Sequence, residues 1–181
     1  MIDAANYEKV EILKDGTTVR IRSVRADDKD RLSAAFDNLE PKSIYMRFMH
    51  HKKALTDADL KAATEVDFND TVALVVTVGE QESETVIAGG RYLMFGDAGN
   101  QPGAEVAFAV EEEYHGRGIA GHLLRHLVLI AQEKGVSRFE ADLLPRNRAM
   151  LVVFSRSGLP MTTQQEPGNI HVILALTETG P

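Results

Sequence analysis

The residues with the clearest chemical potential lie between positions 104 and 121, AEVAFAVEEEYHGRGIAG. An apolar run, Val106-Ala107-Phe108-Ala109-Val110, reads as a buried strand, and a charged turn, Glu111-Glu112-Glu113-Tyr114, follows it. Gly116, Gly118 and Gly121 then open into a long helical pattern. Glycines let backbone N–H groups approach an anion, and a helix start leaves its first donors unpaired at its positive end. Arg117 places a fixed positive charge beside those donors. A strand, a glycine loop and a helix start in this order make a site for a phosphorylated cofactor.

Three phosphate-binding patterns compete for that loop. A Walker loop needs Gly-Lys followed by Ser or Thr, and no glycine here precedes a lysine. The dinucleotide fingerprint is matched literally by Gly116-x-Gly118-x-x-Gly121, with Asp142 about 20 positions further on. Against it, residues 111–114 separate the loop from its strand, and too little chain remains to build further parallel βα units. It stands second to the pattern described below.

The surrounding chain supplies the elements that must position the loop. Residues 8–24 read as a hairpin about Asp15-Gly16, followed by helices that begin near Asp27-Asp28, at Pro41 and after Thr56. Two β-rich runs, Thr71–Val78 and Thr85–Phe95, precede the turn-rich connector 96–103. After the glycine loop a helix runs to about Lys134 and stops at Gly135. A strand over 136–143, a helix over 146–157 and a last strand over 170–176 complete the pattern. Early helices, a mostly antiparallel middle and a β-α-β-α-β end make one α+β domain over residues 1–181. Its core spans about 16–178, with residues 8–15 as an extra strand.

Composition narrows the function classes. The chain has 181 residues, 44% hydrophobic and 26% charged, with a formal net charge of −7 and no cysteine. Disulfides, thiolate catalysis and cysteine-ligated metals are excluded, and the cytoplasm is the expected compartment. Net negative charge argues against a nucleic-acid binder, and no apolar run suffices for a membrane span. His122 and His126 share the i, i+4 spacing of a zinc helix but lack its glutamate, so no metal site is expected. Both lie off the apolar stripe Ile119, Leu123, Leu127, Ile130 and are expected in solvent. Glu111, Glu112 and Glu113 are expected as an exposed turn, and His50, His51, Lys52 and Lys53 as a solvated loop.

The third pattern fits the order of elements. His115-Gly116-Arg117-Gly118-Ile119-Ala120, after a strand and opening a helix, resembles the pyrophosphate-binding segment of the GNAT acyltransferase superfamily. Asn147 followed by Phe154 and Gly158-Leu159 is similar to the second cofactor segment of that fold. Residues 19–24, 39–48, 104–108 and 147–159 together resemble the catalytic domain of bacterial protein lysine acetyltransferases. Those enzymes acetylate acyl-CoA synthetases and are often fused to regulatory domains, whereas here the domain would stand alone.

The resemblance implies a three-layer fold with a splayed central strand pair, acetyl-CoA as cofactor and direct transfer to an amine. It implies Glu105 as the base that takes the proton of an amine, whose ordinary pKa is near 10.4 for lysine. Backbone groups of Phe108, Ala109 and Val110 would pair with the pantetheine arm in the manner of a strand, and Asn147 would bond the same arm. His115, Gly116, Arg117, Gly118, Ile119 and Ala120 would hold the diphosphate. His115 stands where the family has Gln or Arg, and Phe154 where many members have a tyrosine that protonates the leaving thiolate. The acceptor would be a protein lysine or, alternatively, a small-molecule amine, while a non-catalytic acyl-CoA sensor stands as the alternative from another class.

Overall fold

The structure, a computed structural model, describes residues 1–96 and 101–177, so part of the expected connector 96–103 and the last residue of the expected core lie outside the described residues. The first hairpin forms as the Asp15-Gly16 signal predicts. Strands β1 (Glu8–Ile12) and β2 (Thr18–Ser23) pair antiparallel across a turn in which Gly16 takes φ +87°. Such a positive φ suits glycine because it lacks the Cβ that obstructs other residues there.

Strands β3 (Thr71–Val78), β4 (Thr85–Phe95), β5 (Gly103–Val110), β6 (Arg138–Leu143), β7 (Met161–Glu166) and β8 (Asn169–Ala175) complete one sheet in the order β1-β2-β3-β4-β5-β6-β8-β7. Neighbours run antiparallel except β5 and β6. A dinucleotide fold needs a parallel sheet, so this topology removes that alternative.

Helices cover both faces. Helices α1 (Lys29–Asp37), α2 (Pro41–Phe48) and α3 (Asp57–Thr64) lie on one side, and α4 (Ile119–Glu133) and α5 (Arg148–Ser155) on the other. Alternation along the strands sorts the core. Val72, Leu74, Val76, Ala104 and Val106 pack with Leu123, Leu127 and Phe154, whereas Ala73, Val75 and Val86 pack with Leu32 and Ala35 of α1.

β5 is paired along its whole length with β4, from Phe95↔Gly103 to Ala88↔Val110. With β6 it pairs only at Gly103↔Arg138, Ala104↔Phe139 and Glu105↔Glu140. β6 then continues against β8 as far as Leu143. Past Glu105 the two central strands therefore part, as the resemblance implies.

Several expectations are corrected. β7 was not expected as a strand, because all six of its residues are exposed and no alternation marks it. His126 is buried rather than solvated, with 5% exposure. Its Nε2 donates to Glu11 Oε1 at 2.7 Å, which leaves Nδ1 to accept from the Tyr7 hydroxyl. His122 is half-buried beside it, with Arg125 donating to its Nδ1 at 2.9 Å. Burial lowers the pKa of both histidines despite the nearby Glu11 carboxylate. Glu111 and Glu112 are half-buried, leaving only Glu113 as exposed turn, and Lys52 folds back to pair with Asp59 at 2.8 Å.

A buried charge cluster fixes α1 against the sheet. Arg22 of β2 meets Asp28, at the start of α1, and donates from Nε to Glu84 at 2.8 Å. Asp28, where the sequence suggests a helix cap, makes no cap bond to α1 and accepts instead from the Arg25 amide at 2.7 Å.

Candidate active site

The loop between β5 and α4 forms an open cradle of amides. Gly116 and Gly118 have φ +76° and +86°, and Gly118 is the N-cap residue of α4. The first intrahelical bond recorded there is His122 N–H to Gly118 C=O at 3.1 Å. Among the described residues the amides of Gly116, Arg117, Gly118, Ile119, Ala120 and Gly121 meet no acceptor, so they are available to an anion. A Cβ at Gly116 or Gly121 would meet nothing within 4 Å, so the space before the helix is open. These features fit a diphosphate.

The two charged residues of the loop are less free than their types suggest. Arg117 pairs with Asp15 at 3.0 Å, donates to the Glu113 carbonyl at 3.0 Å and lies over the Tyr114 ring at 4.9 Å. His115 donates from Nε2 to the Val110 carbonyl at 2.6 Å. A carbonyl only accepts, so the neutral ring keeps its proton on Nε2, and Nδ1 can donate to a phosphate only when the imidazole is protonated. Lys14, which sequence reasoning missed, brings its stem against the loop: a Cβ at Gly118 would lie 3.6 Å from its Cε. It comes from the first hairpin, about a hundred positions upstream, so no local spacing could reveal it.

The gap between β5 and β6 offers backbone groups. The Glu111 amide donates to Ile87 of the β4 side at 2.9 Å, and alternation then turns Ala109 to β4 and Phe108 and Val110 toward the gap. The expectation for Ala109 is corrected accordingly: its backbone belongs to the ladder, opposite Gly89, and its methyl lines a cavity on the α1–α3 face. With the Val110 carbonyl taken by His115, the Phe108 N–H and C=O and the Val110 N–H face the gap. Across it, Asn147 caps α5 by accepting from Met150 N–H at 3.3 Å, and its Nδ2 donates to no described residue. Phe154 is buried edge-on to Phe108, ring centroids 6.2 Å apart. It provides an apolar wall and no proton.

Glu105 sits at the end of the paired segment, where the strands begin to part, with its carboxylate exposed. It shares a sheet face with Ala107 and Ala109, lies opposite Leu93 of β4 and stands beside Glu140 of β6. Glu140 is occupied: it accepts from His171 Nε2 at 2.7 Å and from Arg138 at 3.2 Å. His171 also donates from Nδ1 to Asp142 at 2.8 Å, and the two carboxylates raise its pKa. Arg47 of α2 stands within the field of Glu105. Burial and the neighbouring Arg91 lower its pKa to about 10, which leaves it charged at neutral pH. Tyr45, two positions earlier on α2, stacks with His51 and lies under the Arg146 guanidinium.

The comparisons with known proteins agree with this geometry. The profile of the acetyltransferase (GNAT) family matches residues 39–158. The chain is 29% identical over 141 residues to the acetyltransferase PA5475 of Pseudomonas aeruginosa, covering 78% of this chain and 74% of that protein. It is 34% identical over 146 residues to the acetyltransferase Pat of Mycolicibacterium smegmatis, covering 81% of this chain but only 42% of that longer protein. The crystal structure of the GNAT domain of S. lividans PAT superposes with a TM-score of 0.84 at 35% identity, covering 93% of this chain and 96% of that one. With its strand gap, amide cradle and parted central strands, this chain belongs to the GNAT acetyltransferase family and is an N-acyltransferase that uses acetyl-CoA.

Proposed function

We propose that the chain transfers the acetyl group directly to the side chain of a protein lysine, with acyl-CoA synthetases as the leading acceptors. The observation that carries this reading is the setting of Glu105 on an open sheet face. Leu93 and Phe95, 45% and 39% exposed, flank it as an apolar rim of the kind a folded partner covers. The names of the M. smegmatis and S. lividans relatives, both Pat, lend support. We further read residues 16–178 as a single acyltransferase unit.

Bound acetyl-CoA supplies an activated thioester carbonyl. In this reading the amides of Gly116 to Gly121, with Lys14 nearby, hold the diphosphate. Phe108 and Val110 orient the arm through the backbone, and Asn147 donates to it from the other side. A backbone N–H in the gap stabilises the negative charge that develops on the carbonyl oxygen. Glu105 accepts the proton of the incoming ammonium, directly or through water, because only the neutral amine attacks. The leaving thiolate is protonated by solvent, since Phe154 has no proton to give.

A small-amine acceptor is the second reading, favoured by a cavity that Ala107 and Ala109, two and four positions along β5 from Glu105, help to line. The deciding experiment measures thiol release from acetyl-CoA with candidate acyl-CoA synthetases and, separately, with a panel of small amines. Turnover with the synthetases supports the protein-lysine reading, and turnover with small amines alone overturns it. A non-catalytic sensor would bind acetyl-CoA and release thiol with neither.

A further inference from the structure

The face of the sheet that carries Glu105 is roofed, further along β5, by α1, α2 and α3. Between roof and sheet lies a cavity of about 410 Å³. Leu32, Phe36, Leu39, Phe48 and Leu55 make its walls apolar, and the methyl groups of Ala107 and Ala109 form its floor. Two arginines line this space, Arg47 from α2 and Arg91 from β4. Arg91 is paired across the ladder with Ala107, so it lies one diagonal step from Glu105.

Neither arginine forms an ion pair with a carboxylate among the described residues; Glu105 acts on Arg47 only through its field. Among the described residues every other charge of the cavity is matched or isolated: Lys52 pairs with Asp59 at 2.8 Å, and Glu111 stands near the exit of β5. No ion pair or side-chain hydrogen bond of a described residue involves Arg47 or Arg91. Arg47 leans on the Phe48 ring at 4.8 Å, and each of the two is half-buried. Two like charges side by side in an apolar cavity are unfavourable alone, and an anion between them relieves both the repulsion and the lost hydration. The planar fork of arginine matches a carboxylate in two-point contact. The half-buried Glu111, which lines the same cavity, disfavours a dianion such as phosphate.

We propose that Arg47 and Arg91 bind a carboxylate carried by the acceptor, beside the amine that Glu105 deprotonates. The preferred acceptor is then an amino-carboxylate rather than a plain amine. That carboxylate belongs either to a small amino acid or to an acidic side chain next to the reacting lysine of a protein. The inference rests on the acetyltransferase reading of the site and deepens it.

The first test needs no turnover. Hexanoate is titrated into the wild-type protein by calorimetry, with hexanamide as the uncharged control, and then into Arg47→Gln and Arg91→Gln. Hexanoate is expected to bind the wild type, and at least tenfold more weakly to each variant, with no loss of melting temperature and unchanged affinity for coenzyme A. Absence of hexanoate binding to the wild type, or binding by both variants as tight as by the wild type, overturns the proposal. The second test compares kcat/KM for acceptor pairs: an ω-amino acid against the alkylamine of equal length, and a lysine peptide with a neighbouring aspartate against the same peptide with asparagine. A tenfold preference for the carboxylate member in one pair identifies its source, and its collapse in Arg91→Gln ties it to the cavity. Equal rates in both pairs overturn the proposal while leaving the acetyltransferase reading intact. No transfer to any acceptor, with hexanoate still bound, removes the acetyltransferase reading instead.

Discussion

The Arg22 guanidinium and the Asp28 carboxylate meet fork to fork, Nη1 to Oδ2 at 2.9 Å and Nη2 to Oδ1 at 2.8 Å, with both side chains buried. The contact joins β2 to the start of α1, and α1 roofs the cavity next to Glu105. Removing one member of such a pair leaves an uncompensated charge in the interior. Asp28→Ala is expected to lose about 3–5 kcal/mol of stability, read from the midpoint of urea unfolding.

Acid should weaken the protein in two stages. Burial lowers the pKa of His126 and His122 in the folded protein, so the unfolded chain takes up protons first as pH falls below about 6.5. Their contribution is full above that pH and shrinks below it. Burial opposes ionisation of Asp28 and Glu84, yet the Arg22 hydrogen bonds prevail and hold both carboxyls below their ordinary range. Their contribution is present above about pH 4 and is lost as pH falls further. Melting temperatures measured from pH 7.5 to 3 should show both declines, and His126→Gln should flatten the upper one.

His171 should behave in the opposite sense. Its hydrogen bonds to Asp142 and Glu140 raise its pKa, so its support is complete below about pH 6.5 and fades as pH climbs through the folded value. An NMR titration of the imidazole should place its midpoint above that of a model histidine, and Asp142→Asn should bring it down.

The glycines of the cradle should not respond alike. Gly118 has φ +86°, so Gly118→Ala is expected to cost about 1–2 kcal/mol and to weaken coenzyme A binding. Gly121 lies inside α4 with open space where a Cβ would sit, and Gly121→Ala should be neutral or gain up to about 1 kcal/mol. Paired thermal melts and coenzyme A titrations separate the two.

Glu105→Gln is expected to lower kcat by about 10²–10⁴-fold without changing coenzyme A affinity. The carboxylate is exposed and makes no hydrogen bond among the described residues, so the fold has no need of it. An unchanged kcat would remove Glu105 from the mechanism.

Signals written in neighbouring residues were legible, and those written across the chain were not. The Asp15-Gly16 turn, the Thr56 cap, which accepts from Asp59 N–H at 3.1 Å, and the runs of β3 and β4 all follow from local chemistry. The glycine loop was readable for the same reason, since strand, loop and helix are consecutive. β7 was invisible because its residues contact water on both faces and only its pairing with β8 makes it a strand. His126 was misread because the polar partners that permit its burial, Tyr7 and Glu11, lie more than a hundred positions away. The partnering of Arg117 by Asp15 and the meeting of Arg47 with Arg91 were hidden likewise, since each joins segments that only the folded sheet brings together.

The parting of β5 from β6 leaves a bare strand edge in the middle of the sheet instead of at its margin. Bare edges invite strands from neighbouring molecules and so seed aggregation. Here the bare edge lies between β5, paired along its length with β4, and β6, so a strand from a neighbouring molecule would have to enter between two strands of the same sheet. The architecture thus obtains an unfinished ladder for chemistry without the self-association that such a ladder would bring on the outside of the protein.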